Sequence, residues 1–377
     1  MISIQNLSYW EKESFINSND YLIVGSGIVG LSTAIYLKQR EKDKKVTVIE
    51  RGFLPTGAST KNAGFSCIGS PSELLSDLEK NSEEEVFATV EKRWQGLLNL
   101  NQLLGEENIG YLSLGSHELF TENDVQLHQN CIDKLDYLNR QLKRITKIEK
   151  VFKSSNDICN QYGFSGFTKA ISHAAEGQIN TGEMMKSLLA KAQEMGIQVL
   201  NGIDVKMINN KSVSTNIGNI PFEKIAICTN AFSNRFFPEM DIEPARAQVI
   251  VTSEIDQLKL KGIFHFDEGF YYFRNIGKRI LFGGGRNLNF KSETTEEMLT
   301  TAEITNELKR VLKEQIAPYT DFRIEHEWAG TMGVGKSKNP ILKKVNESVY
   351  CGIRLGGMGV AIGSLIGKDL ATLMIEN

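Results

Sequence analysis

The feature that most constrains this chain is a group of glycines near its N-terminus, within YLIVGSGIVGLSTAIYLKQREKDKKVTVIER (Tyr21–Arg51). Gly25, Gly27 and Gly30 have the spacing G-x-G-x-x-G, between a strand-like apolar run and a helix-like run. Gly25 permits a tight turn, Gly27 lets a pyrophosphate approach the backbone, and Gly30 lets the helix pack closely on the strand. A second apolar run ends at Glu50, which is placed to accept hydrogen bonds from a ribose hydroxyl. The unit therefore predicts a βαβ fold with a dinucleotide at the helix N-terminus.

Length and composition limit the remaining classes of function. A chain of 377 residues is long enough for two domains. The net charge of −3, without long charged blocks, gives no indication of nucleic acid or of an anionic membrane surface. The N-terminus lacks the layout of a signal peptide, and the most apolar stretch, 21–37, contains the three glycines, so no membrane span is predicted. The scattered cysteines and histidines lack metal-ligand spacing, so no metal site is predicted. The five cysteines are far apart and no export signal is evident, which predicts reduced thiols and a cytoplasmic location.

Hydrophobic periodicity predicts that helices and strands alternate along the chain. The predicted helices are 71–104, 124–142, 182–195, 298–316 and a last one from about 359. The predicted strands are 111–120, 197–200, 204–208, 212–215, 224–228, 247–252, 270–274, 279–283 and 327–335. Long insertions separate the nucleotide-binding pieces, so the domains are expected to be interleaved.

Two further segments indicate which dinucleotide is bound. RGFLPTGASTKNAGFSCIGS (Arg51–Ser70) is a long irregular stretch, and such a loop beside a dinucleotide fold is expected to embrace the cofactor. CGIRLGGMGVAIG (Cys351–Gly363) is a second glycine-rich turn before an apolar helix, which a nicotinamide enzyme does not need. The opening unit, the segment Gly57–Phe65 and this turn resemble the FAD-dependent amino-acid oxidase superfamily, which includes D-amino acid oxidase, glycine oxidase, sarcosine oxidase and D-amino acid dehydrogenases. The resemblance is strong at 22–66 and 327–363. It is weak in the segments 76–164 and 241–326, which are expected to form a substrate-binding domain.

This resemblance implies an α/β fold of mixed α+β type. A Rossmann-like FAD-binding domain, made of 1–75, 165–240 and 327–377, would be interleaved with an antiparallel-sheet substrate domain that carries helices and is made of 76–164 and 241–326. Some relatives attach FAD covalently through a cysteine near a W-x-G motif, which in this chain is Trp328-Ala329-Gly330. No cysteine lies between Trp328 and Pro340, so non-covalent FAD is expected.

The resemblance also implies a set of cofactor-binding residues in four parts of the chain. From the opening unit and the loop after it these are Gly25, Gly27, Ile28, Val29, Gly30, Glu50, Arg51, Gly57, Ala58, Ser59, Thr60, Lys61, Asn62, Ala63, Gly64 and Phe65. From the middle and C-terminal segments they are Val205, Thr229, Asn230, Ala231, Gly330, Met332, Gly333, Arg354, Gly356, Gly357, Met358 and Gly359.

The substrate side departs from the pattern of the family. Amino-acid oxidases often place an arginine shortly after the W-x-G glycine to hold the substrate carboxylate, but WAGTMGVG has Met332 in that region. The departure favours an N-substituted amino acid, an amine, or a carboxylate held by Arg274, Arg286 or Arg354. Strand alternation puts Tyr272 on the same face as Arg274. For Arg274, a substrate clamp and a charge on the sheet surface both stay open, and no catalytic residue is assigned with certainty.

The implied reaction is oxidation of a C–N bond, in which a neutral amine or amino acid loses hydride to flavin N5 and the imine is hydrolysed. Oxygen or another acceptor would reoxidise the flavin. A homodimer is expected only because dimers are the commonest oligomers of soluble proteins. Two alternatives stay open: an NAD-dependent dehydrogenase, and a flavoprotein module that acts on a macromolecular substrate. The near-neutral charge argues against nucleic acid as that substrate.

Overall fold

In the computed structural model, residues 4–17 and 19–377 are described, and they form two large sheets, a small third sheet and the helices that connect them. The helices are α1 Tyr9–Glu11, α2 Ile28–Arg40, α3 Ala58–Lys61, α4 Pro71–Leu78, α5 Glu83–Leu104, α6 Val125–Thr146, α7 Asp157–Tyr162, α8 Thr181–Glu194, α9 Phe290–Glu293, α10 Ala302–Val311 and α11 Gly359–Glu376. The strands are β1 Asn19–Val24, β2 Val46–Glu50, β3 Phe65–Ser66, β4 Ser116–Thr121, β5 Phe152–Ser154, β6 Phe167–His173, β7 Gly177–Gln178, β8 Gln198–Asn201, β9 Val205–Ile208, β10 Ser212–Thr215, β11 Asn219–Ile227, β12 Glu243–Thr252, β13 Ile263–Phe266, β14 Tyr271–Ile276, β15 Arg279–Gly284, β16 Ile324–Val334, β17 Ile341–Lys344 and β18 Val349–Ile353.

The first large sheet contains the predicted βαβ unit. Its strands follow the order β17-β18-β11-β1-β2-β8, and the pairs from β18 to β8 are parallel. Leu22 of β1 is opposite Thr47 of β2 on one side and Ile225 of β11 on the other. The carboxyl ends of these parallel strands meet at one edge, and ligands of such sheets bind there. The turns that follow β1, β2, β11 and β18 therefore all face the same site.

The second large sheet has the order β16-β12-β15-β14-β13-β4-β6-β5 and is antiparallel except for the pair β13/β4. One face packs an aromatic core, in which the Phe264 and Phe273 rings are stacked with centroids 4.9 Å apart. The alternation predicted for β14 is confirmed, because Tyr271 and Phe273 belong to this core. Tyr272 points to the opposite face, where it contacts Phe65. That opposite face therefore packs against the loop that is predicted to bind the cofactor.

Several element boundaries differ from the predictions. The helix predicted over 71–104 is broken, because Ser82 and Glu85 form a capping box that starts a new helix at Glu83. The strand predicted at 111–120 begins only at Ser116, after Gly115 with a positive φ of 73°. The helix predicted over 298–316 begins at Ala302 and ends in a π turn at Leu312–Ile316.

The mixed α/β class of fold is confirmed, and the exact domain division stays a prediction. Strands β6 and β16 lie in the second sheet, although the predicted division assigns 165–240 and 327–377 to the cofactor domain. Helix α5 packs closely on α11, since a Cβ at Gly96 would lie 2.1 Å from the Ala361 carbonyl oxygen. The helix layer beside the first sheet thus includes a segment that the prediction assigns to the substrate domain.

Candidate active site

A cavity of about 610 Å³ lies between the carboxyl edge of the first sheet and the inner face of the second. Gly25, Arg51 and Thr229 line it from the turns after β1, β2 and β11. Tyr272 and His265 line it from the second sheet. This volume lies within the range of about 300–1,000 Å³ that is usual for small-molecule and cofactor sites.

The first glycine turn has the geometry that its spacing predicts. Gly25 has a φ of +102°, a left-handed conformation that a side chain disfavours. A Cβ at Gly30 would lie 1.9 Å from the Gly25 carbonyl oxygen, so the helix can begin this close to the turn only with glycine at that position. The Ser59 hydroxyl accepts a hydrogen bond of 3.0 Å from the Ile28 amide. The N-terminus of α2 thus faces the cavity beside the loop that follows β2.

The carboxylate of Glu50, at the end of β2, is held in one position by hydrogen bonds. Glu50 accepts hydrogen bonds from the amide and hydroxyl of Ser26 (3.1 and 3.0 Å) and from the Gly52 amide (2.9 Å). These donors fix the carboxylate at the cavity wall, where it can accept from ribose hydroxyls. The guanidinium of Arg51 lies 3.8 Å from the centre of the Phe232 ring, and both side chains line the same end of the cavity.

The predicted flavin loop is held by the W-x-G strand. The Trp328 indole donates a hydrogen bond of 2.9 Å to the Lys61 carbonyl oxygen. A Cβ at Gly330 would lie 2.8 Å from the Lys61 Cβ, so the strand can approach the loop only with glycine there. The Asn62 side chain accepts from the Gly64 amide (2.8 Å) and the Thr181 hydroxyl (3.0 Å), which links the loop to the start of α8.

The second glycine turn is anchored by Asn230, whose side-chain oxygen accepts from the amides of Arg354 (3.1 Å) and Leu355 (3.3 Å). Gly356 and Gly357 both have positive φ and place the start of α11 at the cavity. The Arg354 side chain does not reach the cavity. Its guanidinium binds the Asp241 carboxylate and backbone oxygen (both 2.7 Å) and the Asn339 carbonyl oxygen, so it stabilises the turn.

The three arginine candidates occupy different environments. Arg274 is buried behind Gly64, outside the cavity lining, where burial lowers its pKa to about 10 and its Nε has no partner among the described residues. Arg286 lines the cavity, with its guanidinium carbon 5.0 Å from the centre of the Phe290 ring. Burial lowers the pKa of Arg286, and within the described ranges the guanidinium forms no ion pair and Nε no hydrogen bond. Tyr272 also lines the cavity, and burial raises its pKa to about 12, so this phenol is neutral.

A group of titratable side chains that the sequence did not indicate also lines the cavity: Cys67, Glu73, Glu176 and His265. Glu176 accepts hydrogen bonds from the Ile68 and Gly69 amides and the Ser116 hydroxyl. The pairing of β13 with β14, which puts His265 directly opposite Tyr272, would have indicated His265, but no strand is predicted at 263–266. No comparable local signal marks the other three, which come together only through the tertiary fold.

The structure brings most of the predicted residues to the cavity. Those that line it are Gly25, Gly27, Ile28, Val29, Glu50, Arg51, Gly57, Ala58, Ser59, Lys61, Asn62, Ala63, Phe65, Val205, Thr229, Asn230, Tyr272, Arg286, Gly330, Met332, Gly356, Gly357, Met358 and Gly359. Those that do not line it are Gly30, Thr60, Gly64, Ala231, Arg274, Gly333 and Arg354. Of the last group, Thr60 contacts the lining, because its hydroxyl donates to the carbonyl oxygen of Pro55.

The cavity fits a dinucleotide that carries a flavin. Two long helices, α2 and α11, present their N-termini to it, and such ends favour phosphate and other negative charge. The carboxylate of Glu50 and the close-approach glycine at position 27 lie at the same end. A dinucleotide-dependent oxidoreductase is the class of protein that this fold and site define.

Comparison with known proteins identifies the family. Residues 20–373 match the family model of the FAD-dependent oxidoreductases, and the chain belongs to that family. It is 20% identical to a probable oxidoreductase, OrdL, of Haemophilus influenzae, over 96% of this chain and 84% of that protein. It is 21% identical to the sarcosine oxidase subunit beta of Rhodobacter capsulatus, over 95% of this chain and 87% of that protein.

Solved structures show the same fold. The L-proline dehydrogenase of P. horikoshii superposes with a TM-score of 0.75 at 20% identity, covering 96% of this chain and 94% of that one. The glycine oxidase of Bacillus cereus superposes with a TM-score of 0.76 at 17% identity, covering 95% of each chain. The prediction of FAD is confirmed by the family, which disfavours the NAD-dependent alternative. In the part of the chain that the structure describes, every helix is too short or too polar to cross a membrane.

Proposed function

We propose that this protein oxidises the C–N bond of an amine or of an N-substituted or simple amino acid. FAD supplies the acceptor for the hydride that leaves the substrate carbon, and water hydrolyses the imine. The observation that carries the proposal is the continuity of one cavity from the glycine turn at Gly25 to the wall formed by Tyr272 and Arg286. A small substrate at that wall would share an enclosed space with the cofactor.

We also propose Arg286 as the group that binds a substrate carboxylate. The free guanidinium at the cavity wall supports this role, since an arginine can bind a carboxylate through two parallel hydrogen bonds. Arg274 lies behind the lining, and Arg354 is occupied by Asp241. Arg286 therefore takes the place of the arginine that is missing from the W-x-G segment.

Anaerobic bleaching of the flavin tests the reaction. Glycine, sarcosine, L-proline and iminodiacetate are compared with methylamine and dimethylamine, which lack the carboxylate. A yellow protein whose flavin is bleached by at least one of these compounds supports the proposal. A protein that binds FAD but is bleached by none of them contradicts it and favours a macromolecular substrate.

Substitution of Arg286 by glutamine tests the carboxylate site. Losing hydrogen bonds to a charged group costs about 1.5–3 kcal/mol, so the concentration of amino acid for half-maximal bleaching should rise about 10- to 150-fold. Bleaching by an amine without a carboxylate should not change. Arg323→Gln is the matched control, because Arg323 is 80% exposed. An equal loss for both classes of substrate would refute the role of Arg286.

Three finer expectations complete the proposal. Molecular oxygen or another acceptor reoxidises the flavin, and oxygen consumption compared with dye reduction separates these two. The protein acts in the cytoplasm, which the five free cysteines support. It forms a homodimer, which light scattering of the purified holoenzyme tests.

A further inference from the structure

His265 is the histidine that lines the cavity, and its position in the sheet is well defined. In β13 it lies between Tyr272 of β14 and Glu118 of β4, which are its direct cross-strand neighbours. Neither ring nitrogen forms a hydrogen bond with any residue in 4–17 or 19–377, and Nδ1 is buried. A buried nitrogen without a partner is unfavourable. Nε2 is not buried in this way, and because the ring lines the cavity, a partner can reach Nε2 from there.

The surroundings of His265 can stabilise a positive charge. Glu118 is 2% exposed and accepts hydrogen bonds from the amide and hydroxyl of Ser72. Burial raises the pKa of Glu118, and the nearby His265 opposes that rise. The charged and titratable groups around His265 are Glu118 and His117 on β4, His173 on β6, Glu176 after β6, Tyr272 on β14, and Asp267 and Glu268 in the following turn.

Two of these groups, His173 and His117, carry little positive charge that would repel an imidazolium at position 265. Burial lowers the pKa of His173, which lies 3.5 Å from the Glu176 carboxylate. Burial and the neighbouring His265 lower the pKa of His117 to about 4. Both rings are therefore neutral near pH 7. An imidazolium at position 265 would interact with the carboxyl groups of Glu118 and Glu176, and none of the groups named above is a cation near pH 7.

Three other titratable groups of the cavity, Glu73, Glu176 and Cys67, are poor proton acceptors. Burial raises the pKa of Glu73, but Arg93 and Lys338 outweigh it and hold that pKa at about 2. Burial also opposes ionisation of Glu176, yet His173 and the hydrogen bonds keep its pKa lowered. Burial and Glu176 raise the pKa of Cys67 well above the usual range, so the thiol stays protonated. His265 lines the same cavity with ring nitrogens that no described residue hydrogen-bonds, and imidazole is the most frequent general base in enzymes.

We propose that His265 is the base that removes the proton from the substrate ammonium group, an assignment that rests on the proposed amine oxidation. One N–H bond of the ammonium group breaks, its electron pair stays on the substrate nitrogen, and the proton bonds to Nε2 of the imidazole. The neutral amine can then lose hydride from its α-carbon, which forms an iminium ion. After the product leaves, the imidazolium returns its proton to water in the cavity.

The test compares His265→Gln with wild-type holoenzyme by anaerobic stopped-flow bleaching between pH 6 and pH 10. The probe is whichever of the six compounds named above bleaches the wild-type flavin fastest. Positioned general bases contribute typically 10²- to 10⁴-fold, so the variant should be slower by about that factor at pH 7. Its rate should recover as the pH rises towards the pKa of the free substrate amine, and added imidazole should restore part of the loss at pH 7. His326→Gln is the matched control, because His326 is exposed and lies outside the cavity.

The outcomes separate this inference from the proposed function. If wild-type flavin is bleached and the variant has the same pH profile, the base assignment is refuted and amine oxidation stands. A uniform loss of rate at every pH, without rescue by imidazole, also refutes the assignment, since it indicates a structural role. FAD content and thermal unfolding of each variant exclude misfolding; if His265→Gln does not fold, His265→Asn undergoes the same test. If no probe bleaches the wild-type flavin, amine oxidation itself fails.

Discussion

Replacing Gly30 with alanine sets two physical effects of opposite sign against each other. Gly30 lies in the first turn of α2, and alanine is favoured over glycine in a helix by about 0.8–1 kcal/mol. The new Cβ would, however, lie 1.9 Å from the Gly25 carbonyl oxygen, far inside contact distance. That oxygen belongs to the backbone and cannot rotate away as a side chain can. Overpacking of this kind costs about 1–3 kcal/mol or more, so we expect net destabilisation.

Cofactor retention should change more than stability, because relief of the contact must displace the turn that receives the pyrophosphate. Urea unfolding of the apoprotein gives the free energy of unfolding, and the ratio of flavin to protein absorbance gives retention. Gly182→Ala is the control, since Gly182 also lies in a first helical turn and its nearest atom, the Asn180 side-chain oxygen, would be 3.3 Å from the Cβ. A Gly30→Ala protein that is as stable as the control and retains full flavin would refute the reasoning.

Three further predictions follow from individual contacts. Glu293→Gln should lower the free energy of unfolding by about 3–5 kcal/mol, because it leaves the buried guanidinium of Arg246 without its charge partner; a loss below about 1 kcal/mol in urea unfolding would contradict this. Arg93 and Lys338 hold the pKa of Glu73 at about 2 against the effect of burial, so the stability that this carboxylate provides is present above pH 4.5 and is lost as the pH falls towards 2. The difference in stability between wild type and Glu73→Gln should therefore narrow over that window. FAD should appear in the supernatant after acid precipitation, and flavin that stays with the pellet would show covalent attachment.

The cofactor half of the site could be predicted because its information is local. Gly25 to Glu50 form one continuous unit, in which a turn, a helix start and an acidic residue at fixed spacing each have a separate physical reason. The loop at Gly57–Phe65 and the turn at Gly356–Gly359 could be read by resemblance for the same reason. Their residues act mainly through backbone conformation, which short sequence patterns encode well.

The substrate half could not be predicted in the same way, because its residues meet only through tertiary contacts. Cys67 and Glu176 are far apart in the chain and are joined by the small sheet in which β3 pairs with β7. The sequence offers Arg274, Arg286 and Arg354 as equals. In the structure, Arg274 is buried behind Gly64, Arg286 lines the cavity, and Arg354 binds Asp241. No residue pattern in the sequence carries those three differences.

The hydrogen bond from Trp328 to the Lys61 carbonyl oxygen has a practical consequence for measurement. The chain contains three tryptophans, and Trp10 is 74% exposed at the protein surface. Trp328 contacts the loop that lines the cavity, so its indole lies near any flavin bound there. Oxidised flavin absorbs light in the range where indole emits. Quenching of intrinsic fluorescence during a titration of apoprotein with FAD, lost in Trp328→Phe, would therefore report cofactor binding without any added label.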